Sequence, residues 1–234
     1  MEEGILGVLG GMGPQATNTF YQRIIDRTQA ESDQEHLRVL IWSDAKIPDR
    51  TAGILGGDGE AVFRQLLEGA RLLERSGCTV LAIPCNTSHY FADRLQGELG
   101  IPIIHMIRET VREICREGKR TVGILATDGT VRTGIYQREL EQAGLTAVTP
   151  PEDLQRVVMS IIYDEIKRGE TGSREKFGEI DDFLRSSGCD CAILGCTELS
   201  VFRALHALPS FYIDAMEILA EQSILRCGKT LRNV

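Results

Sequence analysis

The 234 residues carry 26 basic and 34 acidic side chains, a net charge of −8, with 42% apolar residues, 24 Gly and 7 Cys. That composition sits near the globular average and excludes disordered, collagen-like and low-complexity chains. With no Lys/Arg run of five or more, the negative balance argues against a nucleic-acid or anionic-membrane partner, either of which needs a basic face.

No stretch approaches the ~20 apolar residues of a membrane span. Met1-Glu2-Glu3-Gly4 lacks the charged start and apolar middle of a signal peptide, so the expected location is cytoplasmic. An odd number of cysteines in a reducing compartment makes a disulfide framework improbable. Each thiol then has to be inert core, metal ligand or reactive group.

In chain order, a short apolar run at 5–9 predicts a buried strand, and Gly10-Gly11-Met12-Gly13-Pro14-Gln15-Ala16 follows it and opens a helix. Gly11-x-Gly13-x-x-Ala16 has the form of a dinucleotide fingerprint. However, Pro14 occupies the turn, and Asp44 lies 33 residues (44 − 11) past Gly11 rather than the expected ~20. A backbone cradle for a carboxylate at the helix start is the better reading.

The run at 37–42 predicts a second buried strand with Trp42 in the core, followed by a polar loop with Arg50. Val62, Phe63, Leu66, Leu67, Ala70 and Leu73 recur at helical spacing. Runs at 79–84, 102–105, 121–125, 191–195 and 211–213 predict further strands, and Leu154, Val157, Val158, Ile161, Ile162 and Ile166 a further helix with Lys167 near its end. Strands alternating with helices predict the α/β class, with parallel sheets flanked by helices.

Three echoes keep the same order along the chain. Ser76-Gly77-Cys78 with Cys85 returns as Ser187-Gly188-Cys189 with Cys196, at an offset of 111 (189 − 78 and 196 − 85). Gly7-Val8-Leu9-Gly10 resembles Gly123-Ile124-Leu125-Ala126, and the stretch ending in His105 parallels the one ending in Asp214. A duplicated lobe explains all three, with ligand in the cleft between the lobes. The expected division is 1–99 plus 209–234 for the first lobe, to which the C-terminal strand and helix return, and 100–208 for the second.

Cys85 and Cys196 each end a predicted strand, and Asn86-Thr87-Ser88 and Thr197-Glu198 follow them. Ligands bind at the carboxyl ends of parallel strands, and a helix N-terminus lowers the pKa of a nearby thiol. Free cysteines are also common small core residues, but two at equivalent places of a duplicated unit favour function. A redox pair would lack the Cys-x-x-Cys arrangement. Opposed thiols suit proton transfer at one carbon from its two faces, with one group abstracting and the other donating.

Other residues carry two readings each. His89 reads as a site or core histidine. His105 and Asp214 read as helix caps or as groups that orient the thiols. Cys189-x-Cys191 with Cys196 invites a metal, but no fourth ligand has zinc spacing, and core is the better reading. Cys115 and Cys227 look structural. Thr127-Asp128, the counterpart of the glycine loop, is a candidate cradle contact.

Gly7-Val-Leu-Gly-Gly-Met-Gly-Pro14, Pro84-Cys-Asn-Thr87 with His89, and Leu194-Gly-Cys-Thr-Glu198 resemble the cofactor-independent aspartate/glutamate racemase family. Ile47-Pro-Asp-Arg-Thr51 and Lys167 resemble its aspartate racemase branch. The resemblance covers essentially the whole chain. It implies two pseudo-symmetric lobes, usually in a homodimer, and racemisation of an acidic amino acid without pyridoxal phosphate or any other cofactor. It matches Cys85 and Cys196 to the catalytic pair, Asn86, Thr87 and Thr197 to the positions holding the α-carboxylate and amine, and Arg50 and Lys167 to the cations for the side-chain carboxylate. Met12, Gly13, Gln15, Ser88, Thr127 and Glu198 complete the expected substrate contacts. Both strand ends being Cys, action on both enantiomers is implied.

The physics of the cations agrees, because a dicarboxylate bound to an acidic protein needs local positive charge and Arg suits carboxylates. Maleate isomerisation, hydantoin racemisation and malonate decarboxylation are rival chemistries for such a cleft, and a non-catalytic amino-acid-binding regulator is a rival of another class.

Overall fold

The structure, a computed structural model, describes residues 3–232. The first half runs β1 (Ile5–Gly10), α1 (Pro14–Arg27), β2 (Arg38–Ser43), α2 (Arg50–Gly56), α3 (Gly59–Arg75), β3 (Val80–Ala82), α4 (Ala92–Gln96) and α5 (Met106–Arg116). The second runs β4 (Thr121–Ala126), α6 (Asp128–Thr133), α7 (Ile135–Gln142), β5 (Thr146–Val148), α8 (Glu152–Ser160), α9 (Arg174–Ser186), β6 (Cys191–Gly195), α10 (Thr197–His206), β7 (Tyr212–Asp214) and α11 (Ala215–Arg226).

Two parallel sheets result, ordered β2-β1-β3 and β5-β4-β6-β7. A parallel bridge from Ile103 to Leu81 puts residue 103 beside β3, as β7 lies beside β6. The two sheets therefore share one strand order.

This corrects the expected division of the chain. The strand 212–214 pairs with β6 in the second sheet, and residue 103 bridges to the first. The expected strand at 102–105 is a single bridge at Ile103. The short strand β5 was not read from the sequence.

Side-chain alternation explains how the sheets pack. In β1, Leu6 and Val8 point into a central core, and Leu9 into an outer one; in β4, Val122, Ile124 and Ala126 point to the same central core and Leu125 away from it. The central core is shared by both sheets and by Phe20 and Ile24 of α1, Ile107 and Ile114 of α5, and Leu219 and Ile224 of α11. Each fully buried side chain of this size contributes about 1.5–3 kcal/mol, so the two halves are fastened by much of the apolar surface the protein buries. Helix α3 covers the outer face of the first sheet with Val62, Phe63, Leu66 and Leu73, while Phe177, Ile180 and Leu184 of α9 cover the second.

The run at 37–42 forms a strand, but an exposed one. β2 is an edge strand, and Trp42 is 43% exposed beside exposed Leu40 and Ile41. The expectation that Trp42 is core is thus corrected, because apolarity alone does not tell a central strand from an edge. The helix read across 154–166 is α8 followed by a π-turn at Ile161–Glu165 and a 3-10 turn at Ile166–Arg168, closed by Gly169 at φ 88°. No helix among the described residues is long and apolar enough to cross a membrane.

Candidate active site

The carboxyl ends of β1, β3, β4 and β6 converge. The first turn is tight because Gly11 takes φ 91°, and a Cβ there would lie 2.3 Å from the Asp44 backbone carbon. Thr17 Oγ1 accepts from Gly11 N at 2.9 Å, and Pro14 starts α1 where its missing N–H costs nothing. This holds Met12 at the cavity and Gly13 at its mouth.

Cys196 is the N-cap residue of α10. Cys85 lies beyond β3 and is followed by a 3-10 turn, Thr87–Phe91, that runs into α4. The α-helix expected directly after Cys85 thus begins one turn later.

A narrow cavity is lined by Met12, Arg50, Cys85, Asn86, Thr87, Thr127, Lys167, Cys196, Thr197 and Glu198, all expected, and also by Asp49, Thr51 and Tyr163. The two sulfurs therefore face one small, nearly closed space, with Cys85 5% and Cys196 6% exposed. Gly13 and Gln15 line an adjoining cavity that shares Arg50, Lys167 and Glu198, so they stand at its approach. Ser88 stands behind the wall, where its hydroxyl donates to Met12 Sδ at 3.3 Å; this corrects its expected substrate contact.

The expected polar loop after β2 runs over 44–49, and Arg50 opens a short helix instead of lying within that loop. Asp49 caps α2 by accepting from Ala52 N at 2.8 Å, and Arg50 is its first residue. A cation at a helix N-terminus opposes the dipole. Arg50 is held there by donating to the carbonyls of Ile47 (3.2 Å), Pro48 (3.1 Å) and Met12 (3.2 Å). Burial works against its charge, and the negative charge available at Cys85 and Asp49 outweighs that, so its pKa rises.

Across the cavity the π-turn presents Tyr163, and the 3-10 turn presents Lys167 with Nζ 3.7 Å above the Tyr163 ring. Tyr163 donates to Asp49 Oδ2 at 3.0 Å and Lys167 stands 3.8 Å from the same atom. Burial opposes the Lys167 charge, while Glu198 and Cys196 raise its pKa overall. Asp49, Thr51 and Tyr163 went unread, although the first two flank Arg50 and Tyr163 precedes Lys167 by one helical turn.

The thiols differ in electrostatic company. Cys196 Sγ donates to Glu198 Oε2 at 2.8 Å. Burial and then the Glu198 charge push its pKa well above the usual thiol value, and Lys167 offsets this only in part. The helix N-terminus thus fails to lower it as expected, because desolvation and an adjacent carboxylate outweigh the dipole.

Hydroxyls join the two halves. Thr87 Oγ1 lies 3.0 Å from Thr127 Oγ1 and 2.9 Å from that of Thr130. Two polar atoms at the cavity, Asn86 Nδ2 and Arg50 Nε, are buried without a partner among the described residues. Such donors each cost about 1–3 kcal/mol unless a ligand satisfies them.

The remaining candidates are structural supports. His89 donates from Nδ1 to Cys85 O at 2.9 Å and accepts Met106 N at Nε2 at 3.1 Å, and burial lowers its pKa to about 3. His105 caps α5 and Asp214 caps α11. Cys191 and Cys227 are buried, Cys189 partly so, and Cys115 is exposed.

Two parallel sheets of like order, each delivering a cysteine to a shared polar cavity, define a two-lobed amino-acid racemase architecture. The sequence matches the Asp/Glu/Hydantoin racemase family over residues 9–223, and the chain belongs to that family. It is similar to the aspartate racemase of Picrophilus torridus, with 29% identity, a TM-score of 0.83 and coverage of 98% of this chain and 96% of that one. It is 28% identical over 186 residues to the broad specificity amino-acid racemase RacX of Bacillus subtilis, covering 70% of this chain and 80% of that protein. It is also 29% identical over 171 residues to the glutamate racemase of Aquifex pyrophilus, covering 70% of this chain and 62% of that protein's length.

Proposed function

We propose that the chain racemises a small acidic amino acid, aspartate first and glutamate as the longer alternative, by proton transfer at Cα between Cys85 and Cys196 and without a cofactor. The observation that carries this reading is the meeting of two buried thiols, from equivalent strand ends, at one cavity that also holds Arg50 and Lys167.

Cys196, hydrogen-bonded to Glu198, acts as the acid, and Cys85, with Arg50 nearby to balance a thiolate, acts as the base. The Cys85 thiolate takes the Cα proton and becomes a thiol, and the C–H electron pair moves into the α-carboxylate as an enediolate. Cys196 delivers its proton to the opposite face and becomes the thiolate, which leaves the carbon inverted. The reverse direction exchanges the roles.

The carbanionic state needs hydrogen bonds that strengthen as charge builds on the carboxylate. Asn86 Nδ2 and the hydroxyls of Thr87 and Thr197 supply them. Arg50 and Lys167 hold the side-chain carboxylate, while Asp49 and Glu198 favour the α-ammonium. The −8 charge of the whole chain is no obstacle, because these cations act at close range in a nearly closed site.

We also assign a homodimer working in a reducing compartment. The open edge of β2 with its exposed Leu40, Ile41 and Trp42 is the surface a second copy would cover.

The test is optical rotation on both enantiomers of aspartate, glutamate, alanine and homoserine. Aspartate is expected to lose its rotation fastest. Turnover of maleate, hydantoins or malonates in its place would move the chain to a sibling reaction. Binding without any turnover would make it a regulator.

A further inference from the structure

Asn86 is 2% exposed and its side chain has a single hydrogen-bond partner among the described residues, the Tyr136 hydroxyl, which donates to Oδ1 at 2.6 Å. The carbonyl oxygen of the amide faces the tyrosine as the acceptor of its hydroxyl. Burial raises the Tyr136 pKa far above neutrality, so the phenol keeps the proton it donates. The amide NH₂ has no partner among the described residues, on a residue that lines the cavity.

Tyr136 is fully buried in the central core at the start of α7. Its ring also packs by the second thiol, since a Cβ on Gly195, the residue before Cys196, would lie 3.1 Å from Tyr136 Cε2. One side chain therefore touches both cysteine-bearing turns without reaching the cavity.

We propose that Tyr136 is a positioning residue, which locks the Asn86 amide with its NH₂ toward the substrate α-carboxylate; this rests on the racemase reading. Without the hydroxyl, the amide can turn its oxygen to the carboxylate, and the resulting repulsion grows as the enediolate forms. The loss therefore falls on kcat rather than KM.

The experiment is a double-mutant cycle of Tyr136→Phe and Asn86→Ala, read as kcat and KM for aspartate beside melting temperature. Tyr136→Phe alone is expected to lower kcat by about three- to tenfold, the size of one neutral hydrogen bond. In the Asn86→Ala background it is expected to change kcat by less than about twofold, because coupled residues are not additive.

Equal losses in both backgrounds, or no loss in the first, overturn the role. Asn86→Asp keeps an acceptor for Tyr136 and replaces the NH₂ with a second acceptor, so it decides the matter if Tyr136→Phe does not fold. Its kcat is expected to fall on the order of 10²-fold, as for loss of a donor to a developing oxyanion, with the melting temperature retained. Near-normal turnover by Asn86→Asp overturns the role. Additive losses in an active enzyme sink Tyr136 alone; absence of turnover by the unmodified enzyme sinks the racemase reading and this role with it.

Discussion

Replacing Glu198 by Gln removes one negative charge beside Cys196 and little else. The carboxylate accepts from Cys196 Sγ at 2.8 Å and from Thr197 Oγ1 at 3.3 Å, and an amide oxygen can still accept either. Two unit charges about 4 Å apart interact by about 4 kcal/mol at an effective dielectric of about 20. A hydrogen bond to a charged group is worth about 1.5–3 kcal/mol. On the lower figure, and at about 1.4 kcal/mol per pKa unit, Glu198→Gln is expected to bring the Cys196 pKa down by about one to two units. It stays above an ordinary thiol's, because burial is the larger cause of its elevation.

The assay is alkylation of Cys196 by iodoacetamide across pH, followed by peptide mass spectrometry, with exposed Cys115 as internal reference. An unmoved or upward-shifted profile would refute the electrostatic assignment of Cys196 as the acid. Because the enantiomers have equal free energy, kcat/KM must stay equal in the two directions for this variant, and its effect appears as paired changes in kcat and KM.

Other outcomes follow from the same geometry. A Cβ on Gly129 would lie 2.9 Å from the Thr51 Cα and 2.8 Å from its Oγ1, so Gly129→Ala wedges α6 against α2. That overpacking costs about 1–3 kcal/mol and is expected to lower kcat/KM about tenfold or more through misplacement at the site; unchanged kinetics would contradict it.

Buried His89 has its pKa lowered from 6.5 to about 3, so it is neutral in the folded chain while the unfolded chain takes up a proton as pH falls below 6.5. Stability is therefore full above that value and falls as pH drops toward 3, with about 2 kcal/mol lost from His89 at pH 5. Urea melts at pH 7.5 and 5 on the native chain and on His89→Gln check it, and the variant is expected to lose less between the two. For the proposed homodimer, Trp42→Lys is expected to give a monomer by light scattering; a dimer that persists would place the interface elsewhere.

Much of this was legible from residues. β1, β4 and β6 show themselves as Val/Ile/Leu runs because both faces of each are covered, and Cys85 and Cys196 stand out because the surrounding motif occurs twice. The echo between His105 and Asp214 was visible, yet the division drawn at 209 assigned β7 to the first lobe, whereas it lies beside β6 as residue 103 lies beside β3. What stayed hidden depends on contacts distant in sequence. Trp42 reads as core until the edge position of β2 is known. Tyr136 lies on an unremarkable amphipathic helix, and only the fold brings it to Asn86, 50 residues away. The helix N-terminus at Cys196 argues for a low thiol pKa, and the balance reverses once burial and the Glu198 contact are known.

The most direct measurement is racemisation of L-aspartate in D₂O, with mass spectrometry of the separated enantiomers at early times. Delivery of a solvent-equilibrated proton from one thiol to the face opposite the abstracting one predicts D-aspartate carrying one deuterium at Cα, remaining L-aspartate still protiated, and no deuterated D-aspartate from Cys85→Ala or Cys196→Ala. Product that retains the original hydrogen, or full activity in either cysteine variant, would contradict the account.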